Sequence, residues 1–359
     1  MKRKLNFQTV LTIVIFVFLA LVPLFLPMFR VTTIGKFMCF AIVAVGIDMI
    51  WGYTGILSLG HGVYFGLGAY CMAMYLSLEA SGGAVPNTMY TAGVRELPAF
   101  WIPFSNPVFA LAAAILIPLL LALVIGYLTF LHRIRGVYFS IISQALALIV
   151  ATLLVGMPKY TGGSTGLTNF KTVFGLSLDS GYTKLGIFYV TFIVLLVIYL
   201  LCRFLVNHRI GKIFVAIRDG ENRARFTGYN VAIYKVFVYC LSAAIAGIAG
   251  ALFVTQVGII TPSEVGIAIS IEMVMWVAIG GKGTLIGAIL GTLVINGLKT
   301  GISESFPEAW SYFVALTFIV VILWLPEGII SLKDVPGKLK KKFGKSSGEP
   351  ESIVGRSVH

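Results

Sequence analysis

NHRIGKIFVAIRDGENRARFTGYNVAIYK, residues 207–235, is the longest strongly charged interruption between hydrophobic runs in this chain. It holds six basic residues (Arg209, Lys212, Arg218, Arg223, Arg225 and Lys235) against Asp219 and Glu221. Ile213, Phe214, Ile217, Ala224 and Phe226 recur inside it at roughly helical spacing, which predicts a short amphipathic helix lying on a membrane surface. Two readings stand. A basic loop between spans can simply fix topology, because such loops stay on the cytoplasmic side. An ordered helix ending at Gly228 is more than topology requires, and it suits a docking element.

Outward from this stretch the chain is apolar. It is 58% hydrophobic and 11% charged, with a mean hydropathy of +0.96, whereas a soluble domain carries about 25% charged residues. The composition therefore places it among integral membrane proteins with many spans. The formal net charge is +13, but the basic residues gather at membrane edges and in the tail. That pattern fits anionic lipid and cytoplasmic loops rather than nucleic acid. Cys39, Cys71, Cys202 and Cys240 sit in or beside apolar runs and form no CxxC pair, which argues against disulfides and zinc.

Apolar segments of about 20 residues, enough to cross a ~30 Å hydrocarbon core, fall near 8–29, 107–131, 137–156, 185–206, 236–258 and 311–325. The first follows a basic start and reads as an uncleaved span. Segments 37–79 and 268–300 are interrupted by glycines around Gly52–Gly62 and Gly280–Gly283, and each is expected to cross twice. The fold class is thus all-α, a polytopic membrane protein of about ten transmembrane helices with both ends cytoplasmic. Twenty of the 27 basic residues fall in the segments this count puts inside. Residues 1–332 form the membrane domain, with 211–229 as its surface helix. The tail 333–359 is basic, then rich in Ser and Gly, and is expected to be disordered against lipid.

The two interrupted stretches, WGYTGILSLG and IGGKGTLIGA, each contain GxxG and lie in opposite halves of the chain. Such pairs mark inverted repeats with broken helices near a translocation path. Gly62/Gly66, Ala246/Gly250 and Gly287/Gly291 have the small-xxx-small spacing that lets helix backbones approach closely.

Enzymatic motifs fail when tested. The run Gly280–Thr284 lacks the leading glycine of a phosphate loop, where Trp276 stands instead, and Gly283 follows the lysine. The chain is not expected to hydrolyse ATP itself, and no resident cofactor or metal is expected. The four histidines are far apart in sequence and no nucleophile motif is present. Intramembrane polar groups are the better clue, because such groups are costly in lipid and face a cavity or a partner. Asp48, Gly55, Gly62, Gln144, Glu272 and Asn296 are the candidate path residues, with Lys299 nearby. Helix-to-helix bonding is the alternative for the polar ones, and packing for the glycines.

WGYTGILSLGHGVYFGLGAY (51–70), RGVYFSIISQALALI (135–149), AIRDGENRARFTGYN (216–230) and IEMVMWVAIGGKGTLIGAILG (271–291) resemble the second membrane subunit of the branched-chain amino acid and urea family of ABC importers. The resemblance covers about residues 40–330. GGSTGLTNFK (162–171) and the stretch at 270–284 look closest to the urea branch, with the amino acid branch as the alternative. A passive channel or secondary carrier for a small polar solute is the reading from another class. The resemblance implies a second permease subunit, two cytoplasmic ATPases that bind the ATP, an external substrate-binding protein, and a bacterial cytoplasmic membrane. It also makes 216–228 the segment that docks on an ATPase, with Arg218, Asp219, Glu221, Arg223 and Gly228 as its anchoring residues. Gly220 departs from the family's usual Ala or Asn.

Overall fold

The computed structural model describes residues 7–134 and 136–305, together with Tyr312, Leu316, Ile319, Gly328 and Ile329. Its helices are α1 (Phe7–Phe25), α2 (Met28–Thr54), α3 (His61–Ala80), α4 (Asn87–Thr91), α5 (Pro107–Leu131) and α6 (Val137–Gly156). They continue as α7 (Pro158–Thr161), α8 (Gly181–Asn207), α9 (Arg209–Phe226), α10 (Val231–Val257), α11 (Ile267–Gly280) and α12 (Leu285–Ser305). The all-α polytopic class holds.

Seven of these helices (α1, α2, α5, α6, α8, α10 and α12) are long and apolar enough to cross a membrane. The expected spans inside the described residues each find a helix, with two qualifications. The 20 residues of α3 include tyrosines, glycines and His61, and 17 of them are buried, so protein rather than lipid surrounds it. The 14 residues of α11 rise about 21 Å, short of the ~30 Å core. The expected span 311–325 falls almost wholly outside the described residues, and the tail 333–359 entirely so.

The boundary between the first two spans differs from expectation. Arg30, Thr32, Thr33 and Lys36 look like a polar break, yet α2 starts at Met28, directly after Pro27 as its N-cap. The polar groups are accommodated inside the helix. Arg30 pairs with Glu304 of α12 at 2.8 Å, and Lys36 sits 5.6 Å from the ring centre of Phe40.

α2, α3 and α10 form the centre. In α2, 83% of the apolar window is buried, and in α10 67%, against 22% in α6 and 28% in α5. Leu24, Phe25, Val108, Val137 and Tyr138 are each more than two-thirds exposed on the outer helices. Patches of that kind are stable only against lipid or a partner. Backbone proximity holds the centre together. A Cβ on Gly250 would lie 1.9 Å from the Phe65 carbonyl oxygen, and one on Gly291 would lie 2.1 Å from that of Trp276. The small-xxx-small positions thus mark the α10–α3 and α12–α11 contacts, as expected.

The two long connections are ordered. Residues 157–180 carry α7 and the paired strands β2 (Thr172–Val173) and β3 (Leu176–Ser177), with β1 (Leu167–Thr168) before them. β1 pairs antiparallel with β4 (Ile259–Ile260) in the connection between α10 and α11.

Candidate functional site

α9 is held at both ends by membrane helices. Only His208 separates it from α8, and a Cβ on Gly211 would lie 2.0 Å from the Val206 carbonyl, so the tight turn needs glycine there. Gly211, Phe214, Ile217 and Ala224 are its buried residues, with Val231 of α10 completing a small apolar cluster around the last two. The element is not one straight rod. Gly220 has non-helical backbone angles and divides α9 into two helical pieces, a kink of the kind glycine permits.

Glu221 follows the kink and accepts from Lys235 of α10 and from Arg225, both at 2.8 Å. The Lys235 side chain is only 9% exposed, so this pair is a buried fastening of α9 to α10. Arg218, before the kink, points back into the chain. Its Nη1 donates to the Gly52 carbonyl at 2.8 Å and its Nε donates to Asp219 at 2.9 Å. That hydrogen bond holds the Asp219 carboxyl below its ordinary value.

Gly52 is where the two glycine breaks meet. A Cβ there would lie 2.5 Å from the Gly283 nitrogen, in the turn between α11 and α12. Asp48, one helical turn earlier, is fully buried, and its Oδ1 accepts from that same Gly283 nitrogen at 2.7 Å. Its Oδ2 has no hydrogen-bond partner among the described residues. Lys282 lies 5.2 Å from the Trp51 ring centre. Gly55 ends α2 in the left-handed conformation, and a Cβ on it would lie 3.1 Å from Arg218 Cγ. One arginine on α9 therefore touches the end of α2, which in turn touches the α11–α12 turn.

Beyond Gly55 the chain runs without helix to His61, and side chains from other helices satisfy its backbone. Ser140 Oγ donates to the Leu57 carbonyl at 2.8 Å, and Leu59 N donates to Ser143 Oγ at 3.0 Å. His61 is fully buried between Ser58 and Ser242, at 3.0 and 2.8 Å. Gly62 N donates to Ser270 Oγ at 3.0 Å. Irregular backbone at membrane depth is tolerated when protein groups satisfy it in this way.

Of the expected residues, the structure thus brings Asp48, Gly55 and Arg218 to one junction. Gly62 packs on Ser270 and Val265. Gln144 is half-buried, and its neighbour Ser143 is the residue that enters the hydrogen-bond network. Glu272 and Asn296 lie elsewhere, lining a cavity of about 280 Å³. Asp219, Arg223 and Gly228 are exposed. The sequence reading passed over Ser143, Ser242, Ser270 and the Tyr64–Tyr239 hydroxyl pair. Nothing in their spacing separates them from ordinary helix residues. A cavity of about 660 Å³ between α3, α5, α8 and α10 is lined almost entirely by aliphatic and aromatic side chains and offers a polar solute little to bind.

Among the described residues, no group of three or more His, Cys, Asp or Glu side chains could hold a metal ion. No solved structure matches the chain at a significant level. The permease protein LivM of the high-affinity branched-chain amino acid transport system of Salmonella typhimurium is 26% identical, over 87% of this chain and 72% of its own length. The corresponding BraD of Pseudomonas aeruginosa is 28% identical over 84% and 94%. A probable branched-chain amino acid transport permease LivM of Methanocaldococcus jannaschii is 25% identical over 86% and 95%. The family described as branched-chain amino acid transport system, permease component, matches residues 29–323. The chain belongs to that family.

Proposed function

We propose that this chain is a membrane-spanning permease subunit of an ATP-binding-cassette importer for a branched-chain amino acid, and that α9 is the element through which partner ATPases drive it. The names of the relatives support the substrate class. They lend nothing to urea, the substrate expected from residues 162–171 and 270–284, and the amino acid alternative takes its place.

One observation carries the coupling role: the hydrogen bond from Arg218 to Gly52. A force applied to the exposed side of α9 reaches α2 through this contact and reaches the α11–α12 turn through Asp48. The exposed side itself presents Asp219 before the kink, and Arg223 and Phe226, three apart and so neighbours on one face, in the helical piece after it. Phe226 is 92% exposed. Large exposed aromatics at surface docking sites act as anchors in a partner's pocket. Arg218 and Glu221, expected as anchors to an ATPase, are engaged within the chain. Their proposed role is to transmit, and Phe226 takes the role of docking. The orientation that puts α9 on the cytoplasmic side rests on the basic-residue distribution. The other partners proposed are a second permease subunit and an external substrate-binding protein.

A strain lacking this chain is expected to lose high-affinity uptake of labelled leucine and to keep uptake of labelled urea. The opposite result would restore the urea assignment. Retention of both uptakes would overturn the importer reading.

A further inference from the structure

The cavity of about 280 Å³ is lined by Lys36 and Phe40 of α2, Glu264 before α11, Glu272 of α11, and Asn296 and Lys299 of α12. Lys36 precedes Gly52 by sixteen residues of continuous helix, about 24 Å. The cavity therefore lies at the far end of α2 from the Arg218 junction.

Its charges balance, and most of them neutralise one another. Glu272 accepts from Lys299 at 2.9 Å. Glu304, on the rim, pairs with Arg30. One cation and one anion are left over. Lys36 and Glu264 are within electrostatic reach of each other, yet no ion pair joins them, or either to a third group, among the described residues. The Lys36 ammonium lies instead 5.6 and 5.8 Å from the ring centres of Phe40 and Phe253. Two opposite charges in a partly buried setting attract strongly when they can meet. Both instead line one cavity, with the rings of Phe37 and Phe40 and the side chain of Ile269 among its other lining residues. A neutral amide such as urea has no use for such charges, and burying them without a partner is costly. A solute of one charge sign would meet repulsion from half of the lining.

From this arrangement we infer that the cavity is a recognition site for a small zwitterion with an apolar side chain, its carboxylate on Lys36 and its ammonium on Glu264. The volume is at the small end of ligand pockets, which run from about 300 to 1,000 Å³, and suits a free amino acid. The inference rests on the amino acid reading above and extends it to named residues. Glu272 and Lys299 are positioning residues, since their ion pair fixes the wall carrying Asn296.

The test is binding of labelled leucine to the full chain in lipid nanodiscs, with competitors that each lack one feature. Unlabelled leucine is expected to displace the label. Isoamylamine, which lacks the carboxylate, and 4-methylpentanoate, which lacks the ammonium, are expected to compete at least tenfold more weakly, and urea not at all. Lys36→Gln and Glu264→Gln are each expected to weaken leucine binding at least tenfold, with gel-filtration profiles like that of the wild type. The swap Lys36→Glu with Glu264→Lys is expected to recover part of the loss, which a merely structural role would not do. Absence of leucine binding to the wild type overturns the site. So does displacement by isoamylamine or urea as effective as leucine, or wild-type binding in both single variants. Cell uptake separates the two levels. If leucine uptake depends on this chain but is unchanged in both single variants, the site fails and the importer reading stands. If leucine uptake survives deletion of the chain, the amino acid reading on which the site rests itself fails.

Discussion

Arg218 and Gly52 are 166 positions apart in sequence, and the guanidinium of the first donates to the carbonyl of the second at 2.8 Å. Gly52 sits in the last turn of α2, where the carbonyls have no partner within the helix. An arginine from the surface helix thus satisfies an orphan acceptor of the helix at the centre of the molecule. A hydrogen bond to a charged group contributes about 1.5–3 kcal/mol. The Arg218 side chain is 35% exposed, so the lower end of that range applies.

Arg218→Ala is therefore expected to separate docking from transmission. Co-purification of the ATPases should stay near wild type, while leucine transported per ATP hydrolysed in liposomes should fall several-fold. Loss of ATPase association in this variant would instead make Arg218 part of the docking surface.

Phe226→Ala should show the converse. The ring is 92% exposed in the free chain, so its removal leaves the subunit's own thermal stability unchanged. Association with the ATPases should weaken by about 2 kcal/mol, roughly 30-fold, as for an aromatic anchor. Wild-type affinity by pull-down titration would remove Phe226 from the interface.

Breaking the Glu221–Lys235 pair should destabilise the subunit itself. Glu221→Gln leaves the Lys235 ammonium, 9% exposed, without its carboxylate. Removing one partner of a buried ion pair costs up to about 3–5 kcal/mol, and the Phe130 ring 5.9 Å from the ammonium offsets part of it. The melting temperature in detergent should drop measurably, and Glu221→Gln with Lys235→Met should regain most of the drop. A single variant as stable as wild type would show the pair to be solvated.

Gly62→Val distinguishes packing from path lining. Even a Cβ at this position would lie 2.7 Å from Ser270 Oγ and 3.0 Å from the Val265 carbonyl. Folded yield and melting temperature should fall together with transport, as overpacking costs typically 1–3 kcal/mol. Full yield with abolished transport would place Gly62 on the path.

Asp48→Ala should loosen the meeting of the two breaks, because Gly283 N loses its acceptor. Asp48→Asn keeps an oxygen there and should retain more transport. The two variants are compared by leucine uptake at equal membrane abundance. Equal, severe loss in both would show that the carboxylate itself is required rather than the hydrogen bond.

The sequence by itself determined the class of the protein, most of the spans among the described residues, and its surface helix. Hydrophobic runs and segregated lysines and arginines are local properties, so no partner is needed to read them. The amphipathic spacing from Ile213 to Phe226 located α9 within a few residues for the same reason. Its kink at Gly220 was less legible, because glycine is tolerated in helices as well as in bends. The start of α2 was misplaced because Arg30 and Lys36 look like a loop until Glu304 and the Phe40 and Phe253 rings arrive from elsewhere in the fold. Only the tertiary structure decided which way each charge on α9 faces, and that Asp48, Gly52, Arg218 and Gly283 form one junction. It also brought Lys36 and Glu264 to the lining of one cavity. These relations join residues up to 235 positions apart. Side-chain pairing at such separations is set by which helices pack together, and hydrophobic periodicity gives the buried face of a helix without naming the neighbour it meets.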